Sequence, residues 1–498
     1  MKSLLLCLLA ATTPSFGALY YVAPTGLDTN PGSLAKPWKT IQRAADTLAP
    51  GDTVYVRAGV YGKVTVTKSG TATGGTITFA NYPGELPVID GTGVKPPTDD
   101  DTGLFLLVNR SYITITGFEL RNYKTTSLDA VPVGIFLTGA CQHIRIRDCD
   151  IHDIWNTAGT TTNSGNALGL AVYGSSATAA TDIIIDGNNV HNLKTGASES
   201  VTINGNVTKF QVTNNQVHDN NNIGIDFIGF EGTCPTASLD QARDGLCSGN
   251  TVWNITSQNN QAYPRNDYSA DGIYCDGSTR IVIQNNVVHH TDIPFELASE
   301  HKGKLTSRIT MRDNVIYSNR QTGLLLGGYA SGGTGGTDAC TITGNTFYNN
   351  DTLNEGNGEV QLRFRTTNCV FRSNIFYSGP GHLLITVPVQ AENNVNNRFD
   401  YNLYFSTNGA NAEWSWNRKT ATGFAAWQKT SGQDAHSHFL DPQFVLTGAT
   451  PDLHLKPASP AINAGYPTYV ATSGETDIDG GARVIGRVDI GADETGTP

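Results

Sequence analysis

From residue 183 to residue 404 the chain repeats one short phrase of apolar and polar positions. Two apolar residues alternate, Asn follows three residues on, and a further apolar residue comes two later. Ile183, Ile185, Asn188 and Val190 form the first copy; Phe210, Val212, Asn215 and Val217 form the second. Six more copies centre on Asn250, Asn286, Asn314, Asn345, Asn374 and Asn402, at intervals of 27 to 36 residues. Alternation over so few residues predicts a short strand, and Asn in one register predicts a turn whose amide bonds its copy in the next repeat. A repeat of this length, made of short strands and polar turns, is one coil of a solenoid. The expected fold is all-β: a right-handed parallel β-helix.

A second strand recurs in each coil. It reads Ser200-Val-Thr-Ile-Asn-Gly205, Gly224-Ile-Asp-Phe-Ile-Gly229, Gly272-Ile-Tyr-Cys-Asp-Gly277, Pro294-Phe-Glu-Leu-Ala-Ser299 and Gly323-Leu-Leu-Leu-Gly-Gly328, with earlier copies at Gly134 and Gly169. The second and fourth residues are mostly large and apolar (Ile225, Phe227; Ile273, Cys275; Phe295, Leu297), so they point inward. The third and fifth face out, and in three neighbouring coils they become Asp226, then Tyr274 with Asp276, then Glu296. If the register were shifted by one, Cys275 would face out and this constellation would dissolve. With the register kept, Asp226, Asp276 and Glu296 are expected to share one exposed groove.

Around these coils, Ile41, Ala44, Ala45 and Leu48 fall at helical spacing and predict a short amphipathic helix capping the apolar bore. The strands Asp52–Arg57 and Val64–Thr67 follow it. Residues 18–110 are read as the N-terminal cap and first coils, 111–407 as the coils with the groove, and 408–498 as an irregular capping tail. Loops at 263–271 and 331–338 are suited to be groove walls. Residues 1–17 have the form of a signal peptide, with Lys2, an apolar run from Leu4 to Ala11, and small residues before Ala18. No later stretch approaches a membrane span, so the expectation is a secreted, extracellular or periplasmic protein.

Only 15% of the 498 residues are charged, too few for a disordered chain, and the formal net charge of −11 argues against a nucleic-acid partner. A single elongated domain is expected to be monomeric. Of eight cysteines, seven follow the leader, which leaves at least one thiol free. Cys340 and Cys369 share one inward register and either stack or pair; Cys234 and Cys247 bracket a loop that a bridge would close. No Cys/His spacing indicates zinc, so no metal ligands are assigned and no cofactor is required.

Phrases near both ends carry a resemblance: Tyr20-Tyr-Val-Ala-Pro-Thr-Gly26, Pro37-Trp-Lys-Thr-Ile41, Gly51-Asp-Thr-Val-Tyr-Val56, Asp441-Pro-Gln-Phe444, Ser459-Pro-Ala-Ile-Asn463 and Asp489-Ile-Gly-Ala-Asp-Glu494. They resemble secreted bacterial proteins of the pectin-lyase-like right-handed parallel β-helix superfamily. That fold hosts lyases, hydrolases, epimerases and non-enzymatic adhesins, so reaction must be argued from the site.

Asp276 and Glu296 lie one coil and two positions apart, which places their Cα atoms about 8 Å apart; Asp226 and Asp276 stand in the same relation. Paired carboxyls at such spacing suit glycoside hydrolysis of a polysaccharide or oligosaccharide. The pair resembles that of β-helix xylosidases of glycoside hydrolase family 120. The resemblance implies Asp276 as nucleophile or base and Glu296 as general acid, although the spacing is shorter here and no inserted β-sandwich is apparent. Asp226 assists, and Tyr274 orients a carboxylate or meets a sugar. Beyond the strand, Glu300, His301, Lys302 and Lys304, with Arg308 further on, are candidate substrate contacts. They also supply the alternative, a polysaccharide lyase in which His301 or Lys302 takes the C5 proton of a uronate while Ca²⁺ sits on Asp226 and Asp276. A non-catalytic glycan-binding surface, or a structural Ca²⁺ site, would use the same acids. A further feature has a plain structural reading. His152, His191, His218, Trp253, His289, Tyr317, Tyr348 and Tyr377 hold one register and are expected to stack as rings. Asp477, Asp479, Asp489 and Asp493 of the tail are open to two readings, a Ca²⁺ site or a turn-rich surface that explains them as well.

Overall fold

The computed structural model describes residues 17–98, 102–330, 332–381, 383–388 and 394–496. All but one residue of the expected signal peptide lie outside them. Three long sheets run the length of the solenoid, with 17, 13 and 13 strands among the described residues. Each coil gives a strand to each sheet, and pairing between coils is parallel. The Asn turn divides what the alternation suggests is one segment. Ala180–Asp186 belongs to the 17-stranded sheet and Asn189–His191 to a 13-stranded one, with Asn188 at the corner between them.

The corner is built as the side chains require. Each Asn side-chain amide donates to the Oδ1 of the next, from Asn188 through Asn215 (2.9 Å), Asn250, Asn286, Asn314 and Asn345 to Asn374 and Asn402 (3.1 Å). That same Oδ1 accepts the backbone N–H of the Asn in the preceding coil, so the corner's buried polar groups are paired inside the protein. Cys149 starts the column by donating its N–H to Asn188, and Ser437 with Asp434 ends it at Asn402. The residue before each ladder Asn is left-handed, which explains Gly187, Asn214, Gly249, Asn285, Asp313 and Gly344 there.

Apolar side chains from all three sheets fill the bore, and its ends are closed by helices. The helix Ile41–Thr47 starts where the Thr40 hydroxyl accepts the Arg43 N–H, and it buries Ile41, Ala44 and Ala45. At the other end, helix Phe424–Ser431 buries Trp427, which stacks on Trp414 and donates to Asp434. The chain does not stop at this cap. Residues beyond 440 run back along the outside of the coils. There Arg483 is buried between Asp313 (2.6 Å) and Glu494 (2.8 Å), and Glu475 pairs with Arg312. The tail is therefore a lateral strap as well as a cap.

The seven cysteines are free and buried. Cys340 and Cys369 hold one register in adjacent coils without bonding into a disulfide, and each thiol donates to a backbone carbonyl, of Asp338 and Thr367. Cys234 turns away from Cys247, donating to the Ser176 carbonyl, while Cys247 sits beside the Asn column.

The ring column forms in the expected register: His152, His191, His218, Trp253, His289 and Tyr317 lie face to face, with centroids 4.0 to 6.1 Å apart. Burial, with the neighbouring His290, pushes His289 down to about 4. A depressed histidine binds fewer protons folded than unfolded, so its contribution is complete above about 6.5 and is lost as pH falls toward 4. His289→Tyr keeps a ring in the column and removes this proton. The variant is expected to lose less stability than the parent between pH 6.5 and 4 in denaturant titrations; identical pH slopes would contradict this.

Candidate active site

The outward column runs in register through Thr202, Asp226, Tyr274, Glu296, Leu325 and Gln361. It rides on the strands Val201–Gly205, Ile225–Ile228, Asp271–Asp276, Ile293–Ala298, Leu325–Leu326 and Val360–Leu362. Phe227, Cys275 and Leu297 fill the bore behind it. Asp276 therefore faces out while Cys275 faces in. Because Tyr274 pairs with Glu296, Asp276 is offset from Glu296 by one coil and two positions.

The column is not an open groove. Asp226, Tyr274 and Asp276 are only 2%, 4% and 4% exposed, and Glu296 is half-buried. Segments between strands fold over this face. The turn after Ile293–Ala298 brings the Glu300 N–H to the Asp276 Oδ1 (2.9 Å). The long loop before Asp271 carries Tyr263, whose hydroxyl donates to Asn222. Lys304 lies over the Phe230 ring at 4.8 Å. Tyr274 is thus a packed spacer between Asp226 and Glu296 rather than an exposed platform for a sugar.

Three further acids join the cluster. Asp271 shares the inward parity of Ile273 and Cys275, but it opens its strand at a coil corner, and its carboxyl is electrostatically coupled to Glu296. Glu199 precedes its strand and accepts the Thr202 hydroxyl (3.1 Å). Glu231 lies past the end of its strand and accepts from the Asn204 amide (2.8 Å). Strand alternation is blind to all three. For Glu199 and Glu231 the signal in the sequence is an acid just outside a strand of the same coils; Asp271, the first residue of its strand, carries no such signal.

Burial dominates the electrostatics. It lifts Asp271 well above the usual carboxylate range, with the Glu296 charge adding to it. It raises Glu296 to about 7, against the pull of the Arg363 cation and the Asp271 hydrogen bond. Burial, then Glu231, brings Glu199 to about 8. Asp226 is raised by burial and by Glu199 and Asp276. Asp276 is raised by burial and Glu300, and the Glu300 N–H opposes this by favouring the charged form. Asp271 and Glu296 titrate as a coupled pair, and burial favours keeping a proton on the pair because neighbouring buried carboxyls resist ionising together.

Of the expected contacts, Glu300 and His301 adjoin the cluster. His301 and Glu231 have ligand atoms within 4.8 Å of each other and of Asp276. Lys302 is exposed at the turn's tip. Arg308 is elsewhere: it is exposed, at φ 55°, between Leu305–Ser307 and Thr310–Arg312 of the 17-stranded sheet. By residue 305 the chain has already left the acid-bearing sheet, so Arg308 is no part of this cluster.

Among the described residues no helix is long and apolar enough to cross a membrane. Residues 20–182 match the family model "Pel9A-like, right handed beta helix region", and residues 133–332 match "Right handed beta helix region". The chain is 38% identical to the uncharacterized protein YwoF of Bacillus subtilis (strain 168) over 445 residues, 89% of this chain and 92% of that one. It is 33% identical over 124 residues to pectate lyase PEL9 of Emericella nidulans, 24% of this chain and 30% of the other. Among solved structures, that of XylC with xylose matches with a TM-score of 0.50 at 14% identity, covering 87% and 88% of the two chains. Pectate lyase Pel9A matches with 0.48 at 15% identity over 97% of each. At such identities the likeness is one of fold. The chain belongs to the right-handed parallel β-helix, pectin-lyase-like superfamily, in one family with YwoF.

Proposed function

We propose that this protein is an exported carbohydrate-active enzyme that hydrolyses glycosidic bonds of a polysaccharide or oligosaccharide. The observation that carries this reading is the acid cluster itself: burial raises Asp271 and Glu296 as a coupled pair, with Asp276 on the same strand as Asp271 and one coil from Glu296. General-acid cleavage needs a carboxyl that is still protonated near neutrality and a second carboxylate near it. Glu296, raised by burial to about 7, delivers a proton to the leaving oxygen, with Asp271 as its coupled, buried neighbour. Asp276 is the second carboxyl: burial and the Glu300 charge raise it, and the Glu300 N–H at its Oδ1 opposes that rise in favour of the charged form this role needs. Asp226 lies beyond Tyr274 and adds negative charge that favours an oxocarbenium-like transition state.

The second reading is elimination. Its support is the 124-residue match to a pectate lyase and the buried, unpartnered Nε2 of His301. The Pel9A-like match ends at residue 182, before the first acid of the cluster, so it does not bear on these residues. A panel of neutral and uronate-containing glycans, followed by reducing ends and by absorbance of a 4,5-unsaturated uronate, separates the two. Reducing ends without absorbance are expected; absorbance rising in step with cleavage would promote the lyase, and silence across the panel would leave a binding protein.

The same reading sets a pH dependence. A general acid works while protonated, so kcat/KM is expected to fall as pH rises through about 7, the range to which Glu296 is raised. Arg363 opposes that rise, hence Arg363→Gln should move the alkaline limb to higher pH. A limb unmoved in this variant would detach Glu296 from the acid role.

A further inference from the structure

We propose that Glu231, Asp276 and His301 form a binding site for a divalent transition-metal cation of the Mn²⁺ or Zn²⁺ type. One ligand atom from each lies within 4.8 Å of the others, a spread that a single ion can span. The three come from separate segments of consecutive coils: a loop after Ile225–Ile228, the end of strand Asp271–Asp276, and the turn after Ile293–Ala298.

Each ligand is held from behind. Asn204 donates to one Glu231 oxygen, and the Glu300 N–H donates to the Asp276 Oδ1, so both carboxylates are oriented while keeping acceptor capacity. His301 is fixed by its turn, where its carbonyl accepts the Lys304 N–H and its own N–H donates to Ser299. Such supporting bonds are what orient ligands at metal sites.

Two observations beyond the acid cluster point to a ligand. The Nε2 of His301 is buried without a hydrogen-bond partner. The Oδ1 of Asp226, on a 98% buried residue one coil before Asp276, is likewise without a partner. Buried polar atoms are rarely left unpaired, because each keeps the full cost of losing its water. An imidazole nitrogen among carboxylates selects a borderline cation; Ca²⁺ prefers six to eight oxygens. The other His/Asp group, His454 with Asp479 and Asp493, does not offer the same chemistry. Both nitrogens of His454 are already bonded to carboxylates, of Asp452 and Asp479.

This inference stands on ligand geometry and does not need the glycosidase reading. Chelator-stripped full-length protein, dialysed against Mn²⁺, Zn²⁺, Ca²⁺ or Mg²⁺ and assayed by elemental analysis, is expected to retain stoichiometric Mn²⁺ or Zn²⁺. His301→Ala and Glu231→Gln should each lose it, with circular dichroism unchanged, and His454→Ala should keep it. Pulsed EPR of the wild-type Mn²⁺ complex should show nitrogen modulation from the imidazole, a readout that survives even if a variant misfolds. No stoichiometric uptake, uptake of Ca²⁺ alone, or a Mn²⁺ spectrum without nitrogen would each overturn the site. Glycan cleavage by a protein that takes up no metal would overturn this proposal and leave the hydrolase reading standing.

Discussion

Glu296→Gln is expected to lower kcat by roughly 10²–10⁴-fold, the range a positioned general acid contributes, with the far-UV spectrum and melting midpoint retained. The side chain projects from the outward face, so the substitution leaves the bore intact, and an amide fills the same volume. What it removes is the titratable carboxyl that is coupled to Asp271 and raised to about 7. Asp271→Asn should therefore fail with it, and Asp276→Asn should fail for want of the partner carboxylate. The double variant of Asp276 and Glu296 should be little worse than either single one, because groups that act as a unit do not contribute additively. Lys302→Ala, at the exposed tip of the turn, should cost far less. Full activity in Glu296→Gln, or complete loss in Lys302→Ala, would displace the hydrolase reading in favour of elimination.

Much of this site was legible because a solenoid converts sequence spacing into spatial position. Once alternation sets Cys275 inside, Asp276 must face out, and parallel pairing then stacks Asp226, Tyr274 and Glu296 in successive rungs. The Asn and ring columns were readable for the same reason. Legibility ends where periodicity does. Asp271 has inward parity, but a coil corner redirects it, so alternation assigns it to the core although its carboxyl reaches Glu296. Glu199 and Glu231 sit outside the strands, where register carries no information. The covering of the face comes from loops of unequal length, which is why an expected open groove is buried at Asp226 and Asp276. Arg308 was misplaced because nothing in its neighbourhood marks the crossing from one sheet to the next.

The tail shows the same limit at longer range. Arg483 with Asp313, and Glu475 with Arg312, join residues more than 160 positions apart. They are specified by complementary charge and burial, not by any repeat. The segment after residue 440 has no alternation to follow, so its return along the coils could be seen only in three dimensions.

The Asn column is expected to be the most sensitive structural element of the solenoid. Asn286→Ala should destabilise the protein by about 3–5 kcal/mol, since four side-chain hydrogen bonds are lost at about 1 kcal/mol each and buried partners are left unpaired. Those bonds are specific. Asn286 Oδ1 accepts the N–H and the side-chain amide of Asn250, and its own amide donates to the Cys247 carbonyl and to Asn314 Oδ1. The corner is dry, with Asn250, Asn286 and Asn314 all fully buried, so water does not replace them. Gln216→Ala is the control: its side chain is exposed at the start of the strand Gln216–Asn220, and its loss should cost no more than about 0.5 kcal/mol. Stacked coils unfold as coupled neighbours, so a shift in the guanidinium midpoint should be accompanied by a local signature. The Asn250 amide hydrogen, protected by Asn286 Oδ1, should exchange much faster in Asn286→Ala, while amides near the N-terminal helix change little. A wild-type midpoint together with wild-type protection at Asn250 would mean that backbone pairing alone holds the corner, and that the Asn column is a consequence of the coil and not one of its causes.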